Sequence, residues 1–301
     1  MSPRSKSGYV SIVGKTNAGK STLLNNILGQ KIAITSRKPQ TTRHRFLGIK
    51  TEKRNQIIFV DTPGFHSGQK RALNRYMNKV ASNAMRGVDI VLYVVDSLKW
   101  GDDDITRVQS ISGETIIILV INKVDKIEDK NLLLPFIEAR SQEDIFSHII
   151  PISALKSLGI EDLLTSVCKK LPEGDHLFPE DQVTDISEKF LASEIIREKC
   201  INRLGDELPY RISVSIERFS ELENITHIDS TIFVEKQSQK GMLIGKSGSQ
   251  LKAIGTASRK ELEKLLDTKV MLKTWVKVKK NWNTDSGFIQ SLGVGSDHES
   301  K

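Results

Sequence analysis

Cysteine is scarce: Cys168 and Cys200 are the two in 301 residues. Two thiols build neither a disulfide framework nor a thiolate metal cluster, so the chain is expected in a reducing cytosol. The six histidines are scattered and lack the spacing of metal ligands. Long apolar runs are missing too. Ile90–Val95 and Ile116–Ile121 fall far short of the roughly 20 residues a membrane helix needs. The opening "MSPRSKSGYVSIVG" is basic, but has no apolar signal-peptide core ahead of its glycine. Internal repeats, low-complexity tracts and an aromatic-rich amphipathic insertion helix are absent as well. Any membrane contact is therefore expected to be peripheral. What remains is an ordinary globular composition, 38% hydrophobic and 27% charged, with a net charge of +8. That basic excess favours a polyanionic partner, nucleic acid or an anionic membrane surface.

Length alone suggests about two domains at roughly 100–200 residues each. Over the first part, short apolar runs alternate with helical patterns. The runs Tyr9–Val13, Ile57–Val60, Ile90–Val95, Thr115–Ile121 and Ile149–Ile152 are continuous and rich in Val and Ile, as strands buried on both faces of a parallel sheet are. Crossover helices are expected over Ser21–Leu28, Arg71–Met85, Asp104–Ser112, Leu132–Arg140 and Ile160–Leu171. This reads as a doubly wound α/β domain over residues 1–172. The stretch 173–185, with its prolines and acids, reads as a linker. Residues 186–280 follow the order α-β-β-α-α-β, with Asp185 placed to cap the first helix. A helix is expected over Gln250–Leu266 and a last strand over Val270–Lys280. Residues 281–301 read as a polar, fraying tail.

Gly14-Lys15-Thr16-Asn17-Ala18-Gly19-Lys20-Ser21 follows the first strand and opens the first helix. GxxxxGK[ST] in that setting is a P-loop. Its backbone N–H groups and the helix dipole hold an anion, its Lys reaches the β- and γ-phosphates, and its hydroxyl binds Mg²⁺. Asp61-Thr62-Pro63-Gly64 ends the second run, where Asp61 can hold Mg²⁺ and the Gly64 amide can sense a γ-phosphate. Asn122-Lys123-Val124-Asp125 ends the fourth. A carboxylate there accepts the paired ring N–H and exocyclic amine of guanine, a pair adenine does not offer, so Asp125 selects guanine. Lys123 is expected to pack under the loop and Asn122 to brace it. Ser153 and Ala154 end the next strand, where a backbone amide can reach the guanine oxygen. All four motifs lie at strand C-termini, the edge where open α/β sheets bind ligands. They predict a GTP-binding P-loop domain with Lys20, Mg²⁺ and backbone amides as the catalytic machinery.

In the second domain, Ile244 precedes Gly245-Lys246-Ser247-Gly248, a glycine-flanked turn between helices. It matches the GXXG loop with which KH domains clamp about four nucleotides of a single strand, and the element order fits the type II KH fold. Lys246, Lys252, Lys277 and Lys279 are expected to contact phosphates. Trp275 is placed either to stack on a base or to pack against the helix. Arg259, Lys260 and Lys264 fit a solvated helix face equally well.

Together these motifs, with "ITSRKPQTTRHRFLGI" from Ile34 to Ile49, resemble the Era family of bacterial GTPases over nearly the whole chain. The resemblance implies that Gln40, Thr41, Thr42, Arg43 and His44 form a switch, with Thr42 on Mg²⁺ and the γ-phosphate. It implies binding near the 3′ end of small-subunit ribosomal RNA, a role in maturing that subunit, and a monomer in the cytosol or loosely on the inner membrane. Ala18 stands where the family more often has a branched apolar residue. Phe65 stands where Ras-like switches carry a water-orienting Gln, so the intrinsic rate is expected to be low; neighbouring His66 reads as an exposed loop residue. Asn17 matches a position that in related GTPases helps to bind K⁺ near the phosphates, where the cation would supply charge stabilisation. The rival reading is a GTPase whose KH-like domain mediates protein or membrane association.

Overall fold

The computed structural model describes residues 4–36, 45–64, 83–85, 87–111, 115–204, 212–280 and 282. The chain divides into two compact units, Met1–Ala33 with Arg45–Asp185, and Ile34–His44 with Ile186–Lys301.

The first unit is built on a sheet of strand order β2-β3-β1-β4-β5-β6, comprising β1 (Lys6–Val13), β2 (Phe46–Glu52), β3 (Asn55–Asp61), β4 (Ile90–Asp96), β5 (Ile116–Asn122) and β6 (His148–Pro151). β1 runs parallel to β3 and β4, and β4, β5 and β6 are parallel in turn. The central strands are buried on both faces, which is why they read as unbroken apolar runs. Helices α1 (Lys20–Leu28), α2 (Asp102–Gln109), α3 (Leu133–Ser141) and α4 (Ile160–Lys170) connect them. Of the helix expected over Arg71–Met85, only Ala84 and Met85, both buried, and the exposed residue before them are described.

Two features differ from the sequence reading. β2 is an antiparallel edge strand that the sequence reading did not name. Its burial is only partial, and Gly48 interrupts its apolar pattern. The glycine is there because α1 lies against it: a Cβ would sit 2.8 Å from Leu28 and 2.9 Å from Leu24. Nor is the 173–185 stretch a free linker. Ile49 N–H donates to Val183 at 2.7 Å, Thr184 Oγ1 to Leu47 O at 2.7 Å, and Leu177 and Phe178 N–H to Gln56 Oε1 at 2.7 and 2.9 Å. The edge of β2 offers unpaired peptide groups, and this segment satisfies them. Asp185 is used up there, accepting from Leu47 N–H at 2.8 Å. The cap of the next helix is Ser187, whose hydroxyl accepts from Phe190 N–H at 3.2 Å, so the expected capping role of Asp185 is not found.

The second unit runs α5 (Glu188–Arg203), β7 (Ser213–Leu222), β8 (Ile225–Val234), α6 (Gln237–Ile244), α7 (Ser249–Leu266) and β9 (Lys269–Val278). β8 is central, antiparallel to β7 and parallel to β9. Helices and sheet share one core, including Ile195, Ile228, Ile232, Leu243, Ile254, Leu262 and Val276. Side chains alternate across a strand, so the residues between these inward positions form the opposite, open face. Trp275 lies there, 46% exposed, on the face opposite the one that carries the described helices. Cys200 lies in the core, where burial pushes its thiol up to about 12. Burial likewise raises Cys168. Neither is poised as a thiolate.

Candidate functional site

The P-loop runs from the end of β1 into α1, and both of its glycines are required. Gly14 has φ +148°, and a Cβ there would lie 2.2 Å from Val94 O; Gly19 has φ +96°, and a Cβ would lie 2.3 Å from Asn122 Nδ2. Asn17 also takes a left-handed φ, +63°. Curled in this way, the loop wraps the Lys20 ammonium, which donates to Gly14 O at 3.0 Å and Lys15 O at 2.9 Å. Ala18 is buried, and its small side chain leaves the loop intact. The Lys15 side chain turns away to a 2.5 Å ion pair with buried Asp104, which also accepts from Tyr93 Oη at 2.9 Å. α2 thus holds the loop from outside through an acid that motif reading had not picked out.

At the end of β3, Asp61 is fully buried beside Lys20 and Ser21. Burial raises its carboxyl to about 7, opposed by the Lys20 charge, while burial lowers the Lys20 ammonium to about 8. Ser21 Oγ is 3.5 Å from Asp61 Oδ2, and Asp61 Oδ1 has no hydrogen-bond partner among the described residues. A buried carboxylate oxygen without a partner, next to a hydroxyl, fits a hard oxygen-seeking cation such as Mg²⁺. Among the described residues no cluster of three or more His, Cys, Asp or Glu stands ready to hold a metal. A Mg²⁺ site completed by phosphates and water needs no such cluster. Thr62, also buried, donates to Ile12 O at 3.1 Å and fixes the turn that brings Gly64 to the P-loop. A Cβ on Gly64 would be 2.8 Å from Lys20 Nζ and 2.9 Å from Thr16 Cα. The Asp61-Thr62-Pro63-Gly64 segment and the P-loop are therefore one site.

Asn122 ties the base loop to that site. Its Nδ2 donates to Ala18 O at 2.8 Å, and its Oδ1 accepts from Lys123 N–H at 2.8 Å and Ala154 N–H at 3.0 Å. Lys123 Nζ reaches Asn17 O and pairs with Asp96 at 2.9 Å. Burial favours a neutral Asp96, but the bond and charge of Lys123, with Lys99, outweigh it and hold the carboxyl low. Asp96 is a second acid the motifs did not single out; its only sequence mark is its place at the end of β4, level with Asn122. Val124 N–H donates to Ile152 O at 3.1 Å, setting the turn. Asp125 is exposed, and its Oδ1 accepts from Ser153 Oγ at 2.5 Å, a bond that lowers its pKa. The Ala154 amide, expected near a guanine oxygen, is bonded to Asn122.

Gln40, Thr41, Thr42, Arg43, His44, Phe65 and His66 lie outside the described residues. The residues leading into the first of these segments belong to the second unit. There Thr35 N–H donates to Glu198 Oε1 at 2.8 Å, and buried Glu198 pairs with Lys199 at 2.9 Å.

In the second unit, α6 ends at Gly245 (φ +71°), and Ser247 (φ +50°) and Gly248 (φ +78°) complete the turn into α7. A Cβ on Gly245 would strike Gln250 at 2.6 Å, whereas one on Gly248 would meet nothing within 4 Å. Gly248 is thus required by its backbone angle, and the space beside it is open. Ile244 packs on the core. Lys246, Ser247 and Lys252 are exposed around the loop. Lys277 alternates with inward-facing Val276 and Val278 and lies exposed on the open sheet face, and Lys279 follows the end of β9, half-buried.

Family models match the chain as a "50S ribosome-binding GTPase" over residues 9–123 and as a "KH domain" over 207–283. GTPase Era of Pseudomonas fluorescens is 52% identical over 98% of each chain. GTPase Era of Marinobacter nauticus is 50% identical over 97% of this chain and 96% of its own. Two solved structures superpose with TM-score 0.91 at 39% identity, covering 96% of this chain and 99% of theirs. One is Era with MgGDPNP and nucleotides 1506–1542 of 16S ribosomal RNA; the other is a variant of Aquifex aeolicus Era bound to GDP·AlF₄⁻.

Proposed function

The chain belongs to the Era family of GTPases, and from that premise we propose that it is a GTP-hydrolysing switch that binds the 3′ end of small-subunit ribosomal RNA and assists maturation of that subunit. The observation that carries the enzymatic half is the meeting of Gly64, Lys20 and Asn122 around one loop. GTP places its β- and γ-phosphates on the P-loop amides and the Lys20 ammonium, and its base on Asp125. Ser21 and Asp61 hold Mg²⁺, which supplies countercharge to the phosphates when bound. Water attacks the γ-phosphorus, the bond to the β–γ bridging oxygen breaks, and GDP and phosphate leave. This chain's own contribution is positioning and charge: Lys20 and the loop amides stabilise the oxygens on which charge accumulates. The family resemblance gives Thr42 the remaining metal and γ-phosphate contacts in the GTP state, and Asn17 is the residue proposed to help bind K⁺ there.

The RNA half rests on the GXXG loop and its open approach at Gly248. Residues Ile34–His44, which include the switch, group with the second unit, so ordering of the switch by GTP has a covalent route between the nucleotide site and the RNA-binding unit. Following the family resemblance, we place this work in the cytosol or loosely on the inner membrane, by a single copy. Separately, no helix among the described residues is long and apolar enough to cross a membrane. Hydrolysis and RNA binding are tested separately. Lys20→Ala removes GTP turnover, and Gly248→Asp weakens binding of a single-stranded 3′-end oligonucleotide while intrinsic hydrolysis persists. Turnover surviving in Lys20→Ala would overturn the enzymatic assignment, and unchanged RNA affinity in Gly248→Asp the assignment of the loop.

A further inference from the structure

The open face of the second unit's sheet is not accounted for by the GXXG loop. The loop joins two helices that pack on the inner face. Along β9 the outward positions are Lys269, Met271, Lys273, Trp275 and Lys277, all exposed; Met271 is 42% and Trp275 46% exposed. In register beside them on β8 stand Asp229 (opposite Lys273), Thr231 (opposite Trp275) and Phe233 (opposite Lys277). β7 adds exposed Arg218 and Glu217 at its bulge. Glu217 is tied down: its carboxylate accepts from Thr231 and lies 3.5 Å from Lys277 Nζ. The Thr231 bond, with Lys277, holds Glu217 below the usual carboxylate range. The face thus presents an exposed indole and a thioether flanked by basic side chains that outnumber its two carboxylates.

We infer that this face is a second RNA-binding surface, on which Trp275 stacks a base while Lys269, Lys273, Lys277 and Arg218 contact phosphates. Charge complementarity favours a polyanion, and an exposed aromatic among lysines is the composition of a stacking platform for single strands. The inference rests on the proposed RNA-binding role and extends it. A GXXG loop clamps about four nucleotides, whereas the RNA held by the structurally similar Era spans nucleotides 1506–1542. An RNA of that length has ample chain to leave the clamp and cross to the sheet.

The test uses the full chain and two RNAs, a single-stranded hexanucleotide and the complete 3′-end segment. Trp275→Ala is expected to weaken the long RNA about tenfold. Lys273→Glu is expected to weaken it several-fold and to reduce the salt slope by roughly one or more. The hexanucleotide should bind both variants like wild type, and Trp275→Phe should keep most of the long-RNA affinity. Ultraviolet crosslinking of the long RNA should map to the β9 peptide. The inference is overturned if neither variant affects the long RNA, or if both RNAs are weakened alike, which would place these residues in the clamp or in the fold. Variants that bind RNA normally but fail to join the small subunit would show that the face takes a protein, which also overturns it. Gly248→Asp is the control for the underlying reading, because it should lose the hexanucleotide whatever happens at the sheet.

Discussion

Asn122→Ala removes a side chain bonded to the P-loop, to the base loop after β5 and to the turn after β6. Asn122 is 1% exposed and makes three hydrogen bonds, to Ala18 O, Lys123 N–H and Ala154 N–H. The bonds to Ala18 and Ala154 are buried, and that to Lys123 is partly so. A buried peptide group left without a partner costs about 1–3 kcal/mol, so the two buried ones together cost about 2–6 kcal/mol. A water entering the vacated space would find three polar partners, enough to hold it, and would recover part of this. The net expectation is about 2–4 kcal/mol. It divides between two observables. Where the loops relax in the empty protein, the loss appears as weaker GDP binding; where they do not, it appears as lower stability, and linkage makes the two losses additive in the complex. If all of it fell on affinity, GDP would bind roughly 30–1000-fold more weakly. Titration with a fluorescent GDP analogue and urea unfolding with and without GDP measure both parts. A summed loss under about 1 kcal/mol would refute the claim that this amide organises the site.

Asp125→Asn should turn preference from guanine towards xanthine nucleotides, which carry a ring oxygen where guanine has its amine; competition binding that still ranks GDP well above XDP would remove Asp125 from its role. The Asp61 carboxyl, raised to about 7 by burial, is ionised only above that pH. Its folded value exceeds its unfolded one, so the empty fold loses stability as pH rises from about 4 through about 7. Mg²⁺ bound there with GDP should displace the Asp61 proton at pH 6, whereas at pH 8.5 that carboxyl is already ionised and Lys20, lowered to about 8, takes a proton up against the phosphates; the dependence of binding heat on buffer ionisation enthalpy reads the sign, and equal proton release at both pH values would contradict this. Gly19→Ala should abolish measurable nucleotide binding, since its Cβ would meet Asn122 at 2.3 Å with φ at +96°. Turnover should be faster in K⁺ than in Na⁺, and equal rates would dismiss a cation at Asn17.

The nucleotide site was legible because its parts are contiguous motifs at strand ends. Strands buried on both faces read as unbroken Val and Ile runs, and each motif follows such a run. What escaped was long-range. Asp104 reaches Lys15 across 89 positions, and Asp96 reaches Lys123 across 27; each acid looks like an ordinary polar residue until the fold brings its partner near. β2 was hidden because it is half-exposed and carries Gly48. The 173–185 stretch has the composition of a linker, and only the unpaired edge of β2 explains why it lies along that strand. The lysines of β9 were read as phosphate contacts, as were those beside the GXXG loop. Alternation along the strand, already visible in Val270, Val276 and Val278, places them on the other face of the sheet.

The central claim is that nucleotide state governs RNA binding. The most direct measurement is the affinity of the full chain for the 3′-end segment of small-subunit ribosomal RNA, at one fixed salt concentration, with a non-hydrolysable GTP analogue and with GDP. The account predicts markedly tighter binding with the analogue. Equal affinity in the two states would contradict it.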